Sequence, residues 1–378
     1  MAELDPDIYP SIDDMWRTAI KAEKHDDPPS AKTVSIVLLY SVVLLFGIAG
    51  NALVTAVVAV NEHMRSVTNM FIAQIALGDI IMLLLAMPFD IISKYVYEDW
   101  SFGTVLCRSM SFCKDYSLTI TIVTLTVMGI DRCFILSREL RTYSIRTMKK
   151  FFTVAIIIQM LSVSAAIPAT IFSDVWREST HTHSNDSTAN ASVRVCKHNE
   201  GSSNLLRVSL SRVLLLYVLP LVIISVSFTK INAFLRSTEA QVLLSANKKI
   251  VSACKRALHL LITLVGLYTA LLLPTVIDTI VSFFIKGGLL YDNKWYSLYE
   301  FLVDTTLYAI CVYKPVVYFI MSANFRRGFR ELSCCSTHSS GKSRIECDDD
   351  ESTLNTNEIW FNSDGSESSV QHDVRDSV

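Results

Sequence analysis

Val123-Thr-Leu-Thr-Val-Met-Gly-Ile-Asp131-Arg132-Cys133 is an apolar run that ends abruptly in an adjacent acid and base. A run of that kind belongs in a membrane or a buried core. A charged pair at its very end belongs where water begins. The rest of the chain can be placed relative to that edge.

The chain has 378 residues, of which 51% are hydrophobic, and they gather into long runs rather than spreading at helical spacing. That is a membrane signature. A net charge of -2 argues against a nucleic-acid partner. The sequence carries neither a phosphate-binding glycine motif nor HExxH. Seven runs stand out: Val34–Val60, Thr68–Ser93, Val105–Leu136, Met148–Phe172, Leu205–Leu235, Ile250–Ile285 and Leu298–Met321. Each supplies the roughly 20 apolar residues that cross a hydrocarbon core. The expected architecture is an all-α membrane bundle of seven transmembrane helices. The N-terminal segment is polar and acidic without a signal-peptide pattern, so the first run is expected to act as its own insertion signal.

Charge between the runs sets orientation. Arg138, Arg141, Arg146, Lys149 and Lys150 follow run 3; Arg236, Lys248, Lys249, Lys255 and Arg256 follow run 5; Arg326, Arg327 and Arg330 follow run 7. The other links are mixed in sign. The basic side is expected to be cytoplasmic, with the N-terminus outside. Asn185-Asp-Ser and Asn190-Ala-Ser are glycosylation acceptors in the long link after run 4, on the expected outer side. Cys107, at the outer end of run 3, and Cys196, in that same link, lie in disulfide-permissive space. Cys334 and Cys335 follow an inner amphipathic stretch, where palmitoylation is plausible. The divisions are an extracellular segment 1–33, a membrane domain 34–323, an amphipathic helix 324–335 with Phe325, Phe329 and Leu332 on one face, and a disordered tail 336–378.

Polar residues inside a span are functional candidates. Asp79 and Lys314 sit deep in their runs, and a lone charge there costs several kcal/mol, roughly. Pairing them, with Asn51 hydrogen-bonding nearby, is the cheapest arrangement; the alternative is that Lys314 snorkels inward and leaves Asp79 protonated or ion-bound. Asp131-Arg132 is the second constellation, read either as a switch or as an ordinary interfacial pair capping a helix. The third lies near the outer mouth: Asp90, Lys114, Asp115, Arg212, Asp278, Glu300 and Asp304. Glu300 and Asp304 share a helix face. Acids outnumber bases, which favours a ligand that is cationic or carries both charges; the alternative is a set of solvated helix ends.

The ordered set of motifs resembles the rhodopsin-like (class A) G-protein-coupled receptors from about Val34 to Cys335. Gly50-Asn51, Ala76 with Asp79, Trp100-Ser-Phe-Gly103 followed by Cys107, Asp131-Arg132-Cys133, Pro168, Pro220, Pro274, Lys314-Pro315-Val-Val-Tyr318 and Asn324-Phe-Arg-Arg-Gly-Phe329 stand in the family's order. Phe71-Ile-Ala-Gln-Ile-Ala-Leu-Gly-Asp79 and Phe112-Cys-Lys-Asp-Tyr-Ser117 look like the neuropeptide receptors of the bombesin and CCHamide group. The resemblance implies a Cys107–Cys196 disulfide, an extracellular peptide ligand and a heterotrimeric G protein contacted by Arg132, with Tyr318 part of the switch. It implies opening of the inner ends of spans 5 and 6, no covalent chemistry and no cofactor. It also implies a receptor kinase and arrestin acting through a tail that carries Ser352, Thr353 and Ser363–Ser369 among acids. Membrane lipid is a further partner.

Departures from the family pattern concentrate in the switch. Cys133 replaces a Tyr, Gln159 and Leu272 replace Trp, Phe228 replaces Tyr, Lys314 replaces Asn, and Cys254 offers no acid for Arg132. Lys314 supplies a permanent cation where the family holds a labile sodium ion. A non-coupling scavenger or decoy, or a constitutively active orphan receptor of the same fold, is therefore the alternative function. An opsin is disfavoured because the retinal-lysine position is Tyr308. A transporter is disfavoured by the lack of repeats, and a hydrolase by the lack of a nucleophile–base set.

Overall fold

The computed structural model describes residues 30–136, 147–180, 191–198, 210–237, 248–284 and 296–337. Seven helical segments are long and apolar enough to cross a membrane: Ala31–Val60, Val67–Val96, Gly103–Phe134, Met148–Phe172, Leu210–Phe234, Lys255–Val281 and Ser297–Met321. They are the first to seventh spans below. Their ends differ from the sequence expectation by a few residues. Ser30 Oγ accepts from Thr33 N, and Ser66 Oγ from Asn69 N, so each cap sets its helix start just before the apolar run. Thr147 caps the fourth span in the same way.

The third span is the axis of the bundle. It packs against the second, fourth, fifth and sixth spans, and in the most apolar stretches of the second and third spans alike 61% of residues are buried, against 17% in the fifth. The outward faces carry large apolar side chains such as Leu45, Phe46, Met160 and Ile320, as a surface against lipid requires. One core lies low, around Phe71, Ile75, Leu125, Leu264, Tyr268 and Tyr318; a second lies high, around Tyr40, Met82, Trp100, Cys107 and Tyr308.

Two spans are not uniform α-helix. The second runs as Val67–Leu85 and Met87–Ile91, then opens into a π turn at Ile92–Val96. Pro88 near the start of the middle piece removes one donor and accounts for the break. The fifth has a π turn at Leu214–Val218 just before Pro220, for the same reason. These turns rotate the outer side chains, Lys94 and Tyr217 among them.

The link after the fourth span was expected only as an outer loop. It contains an antiparallel hairpin, β1 (Ser173–Thr180) and β2 (Ala191–His198), with Val175 opposite Cys196. The Cys107–Cys196 disulfide fastens β2 to the third span. The hairpin is also held by Trp100 N donating to Arg194 O at 2.8 Å and by Asp99, whose carboxylate accepts from Arg194 N at 2.7 Å and from Arg194 NH2 at 2.6 Å. Asn185 and Asn190 lie outside the described residues.

At the other end, a helix Ala323–Thr337 follows the seventh span, carrying Cys334 and Cys335 on its last turns. It docks closely. A Cβ on Gly328 would stand 2.7 Å from Val57 Cγ1, and Asn61 Nδ2 donates to Gly328 O at 3.0 Å. The first and seventh spans approach as closely at Gly50, where a Cβ would lie 2.9 Å from Pro315. Segment 1–29 and the tail beyond 337 lie outside the described residues.

Candidate functional site

Three constellations lie along the bundle axis. The deepest joins the second, third and seventh spans. Lys314 Nζ donates to Asp79 Oδ1 at 2.7 Å and to Thr121 Oγ1 at 2.9 Å, while Ser117 Oγ donates to Asp79 Oδ1 at 3.4 Å. Lys314 is 1% exposed and Asp79 is fully enclosed. Lys314 therefore does not snorkel; its ammonium stays inside and is answered there. Asn51 hydrogen-bonds nearby, as expected, but to neither charge. Its Nδ2 donates to Gly47 O and to Cys311 O at 2.8 Å, so it ties the first span to the backbone of the seventh one turn above Lys314. Its two N–H donors are thereby used on carbonyls, while its buried Oδ1 has no hydrogen-bond partner among the described residues. Ser117 and Thr121 were not singled out in the sequence, because hydroxyl residues at helical spacing are common.

The outer constellation is built on Lys94, a residue the sequence reading passed over. It lies at the polar end of the second run, where a lysine reads as a solvated helix end. The π turn brings it inward. Its Nζ donates to Asp304 Oδ1 and Oδ2 at 3.0 and 2.9 Å, and lies 3.8 Å from Asp90 and 3.7 Å from Glu300. Tyr95 OH donates to Asp304 at 3.1 Å. Asp90 is also held by Lys114 Nζ at 2.8 Å and Tyr308 OH at 2.8 Å. Thus Asp90, Lys114, Glu300 and Asp304 form one cluster across the second, third and seventh spans. Tyr40 of the first span reaches Thr305 at 2.9 Å. Asp115 and Arg212 form a separate ion pair between the third and fifth spans. Asp278 lies beside Tyr299, near enough to Glu300 to act on its charge.

The hairpin lies on the outer end of the third span, with Val175 and Cys196 against the core that holds Cys107 and Tyr308. His198 Nδ1 lies 3.0 Å from Ser173 Oγ. Burial, with the cations Arg212 and Lys114 facing it, lowers its pKa to about 4. At the hairpin's edge, burial pushes the Asp99 carboxyl up, but the hydrogen bonds and charge of Arg194 outweigh it and hold the group below its ordinary value.

The inner constellation is the edge of the third span. The Arg132 guanidinium donates to Thr68 Oγ1 of the second span. Asp131 is 7% exposed. Tyr318 is buried, its ring stacked on Phe325 at 5.6 Å. Its hydroxyl has no hydrogen-bond partner among the described residues. Gln159 accepts from Tyr116 OH at 2.5 Å, bonding the fourth span to the third. Among the described residues no group of acids, histidines and cysteines has the arrangement of a metal site.

A family-wide sequence model described as "7 transmembrane receptor (rhodopsin family)" matches residues 50–318. The chain is 27% identical over 323 residues to the sheep (Ovis aries) bombesin receptor subtype-3, spanning 83% of this chain and 79% of that one. It is 26% identical to a bombesin receptor of Bombina orientalis, over 86% of this chain and 83% of the relative. To the RYamide receptor of Drosophila melanogaster it is 25% identical, over 79% of this chain and 63% of the relative.

Proposed function

The chain belongs to the rhodopsin family of seven-transmembrane receptors, and from that premise we propose that it is a cell-surface receptor for an extracellular neuropeptide. It passes the binding event to a heterotrimeric G protein. The observation that carries the ligand assignment is the cluster on Lys94. Three carboxylates, Asp90, Glu300 and Asp304, converge on one shared lysine at the outer end of the bundle. Glu300 has a side chain 43% exposed, so it is the acid an incoming group meets first. A peptide with a basic side chain or free amine would take Glu300 and Asp304 over from Lys94. The similarity to receptors whose names carry bombesin and RYamide supports a peptide.

In this reading the N-terminus is outside and the basic links face the cytoplasm. Arg132 is the contact for the G protein. Asn185 and Asn190 carry glycans, Cys334 and Cys335 carry palmitate, and a receptor kinase and arrestin act on the tail. The helix Ala323–Thr337 rests on the inner leaflet. A groove of about 440 Å³ lined by Phe319, Phe329, Arg326 and Arg330 supports lipid contact there. Arg327 is answered by Glu331 at 3.0 Å, whereas Arg326 caps Phe319 O and Ile320 O and has no acid partner among the described residues.

A screen of neuropeptides on cells expressing the chain, read through a second messenger, tests the proposal. An active peptide should lose its response in Arg132→Gln at unchanged surface expression. The altered switch favours one other reading, a receptor that binds without coupling or signals unprompted. Peptide binding without nucleotide exchange on any G protein would select the first form. High exchange without peptide would select the second.

A further inference from the structure

Three tyrosine hydroxyls tie a short segment of the sixth span to its neighbours. Tyr217 OH of the fifth span donates to Thr269 O at 3.3 Å. Tyr313 OH of the seventh span donates to Leu264 O at 2.9 Å. Tyr268 OH, on the sixth span itself, donates to Leu118 O of the third span at 3.1 Å. All three bonds end on main-chain carbonyls: two grip the backbone of the sixth span, and the third anchors its Tyr268 to the backbone of the third. The sites on the sixth span, 264 to 269, lie within two turns and on the inner side of Pro274.

Pro274 has no N–H to offer the carbonyl one turn before it, which makes that level of the helix the natural place to bend. The collar grips the segment next to the bend. Tyr268 is 1% exposed, and a phenol buried at that depth stays where its hydroxyl is answered. A main-chain carbonyl already serving its own helix accepts a second bond through its other lone pair. The collar is thus separable from the helix: it can open without unwinding anything.

We propose that Tyr217, Tyr268 and Tyr313 are positioning residues that set the resting place of the sixth span against the third, fifth and seventh. In this chain the restraint on the sixth span sits at mid-bundle, in hydroxyl-to-backbone bonds. Opening the inner end requires these bonds to break. The inference rests on the G-protein reading only for its signalling readout.

The test uses tyrosine-to-phenylalanine variants, which keep the ring and remove only the hydroxyl. Full-length receptor is placed in lipid nanodiscs with spin labels at positions 148 and 255, both exposed at the inner ends of the fourth and sixth spans. The labels enter as an unnatural amino acid, so the native cysteines remain. Inter-label distances and ligand-free nucleotide exchange on added G protein are measured for Tyr217→Phe, Tyr268→Phe, Tyr313→Phe and the triple variant. Each single change should raise the open population about fivefold, as loss of one modest hydrogen bond implies. The triple variant should exceed every single one. A shifted distance without a change in exchange supports the collar and removes the coupling reading. Wild-type distance distributions in the triple variant overturn the collar, even if thermal stability falls, because a merely structural role lowers stability without moving the labels.

Discussion

Lys314 Nζ lies 2.7 Å from Asp79 Oδ1, with side chains 1% and 0% exposed. Removing one partner of such a pair strands a charge in a dry interior and costs about 3–5 kcal/mol. Asp79→Asn and Lys314→Met should each lower the midpoint of thermal unfolding in detergent markedly. The double variant Asp79→Asn with Lys314→Met should recover most of the loss. If the two losses simply add, the residues are not coupled and the pair is incidental.

The same ammonium stands where the family resemblance puts a labile sodium ion. Ligand-free G-protein turnover of the wild type should stay flat as sodium replaces potassium at constant ionic strength. Lys314→Asn should acquire a sodium dependence. A wild-type response as steep as that of the Asn variant rejects the idea.

At the inner edge, Arg132 is held by Thr68 of the second span. Thr68→Val keeps the shape and deletes the acceptor, so it should raise basal exchange. Asp131→Asn should raise it only modestly, because restraints elsewhere in the bundle remain. The comparison is made by nucleotide exchange at matched expression. A large rise in Asp131→Asn alone would make this edge the main restraint on the resting state.

The hairpin predicts a pH effect. His198 has its pKa lowered to about 4 in the folded protein, below the ordinary histidine value. A depressed group contributes stability above its unfolded pKa and loses it as pH falls through its folded value. The contribution is therefore complete above roughly pH 6.5 and declines toward about 4. His198→Gln, which cannot charge, should show a shallower fall of unfolding temperature across that window. Parallel curves for the two proteins would mean that the acid loss arises elsewhere.

The seven spans were legible because burial in lipid needs only local composition, and each run carries its own. The hairpin was not: Ser173–Thr180 and Ala191–His198 are mixed in polarity, and their pairing depends on a disulfide to residue 107 and on Asp99, far away in sequence. Lys94 was missed because its importance follows from a π turn that no local pattern announces. Asp79 and Lys314 could be singled out because a charge amid apolar residues is conspicuous on its own. Their helpers Ser117 and Thr121, and the bonding of Asn51 to a backbone carbonyl, depend on how three helices are rotated against one another.

The tight seat of Gly328 against Val57, with Asn61 closing over it, fixes the C-terminal helix to the base of the first span. For anyone building an optical reporter from this protein, that seat is a stationary reference frame. A fluorophore placed on residues 323–332 travels with the base of the first span. Paired with a second dye at the base of the sixth span, it converts an internal displacement directly into a change in energy transfer. Replacing Gly328 by a bulkier residue would loosen the frame itself and blur that signal even in a receptor that otherwise works normally.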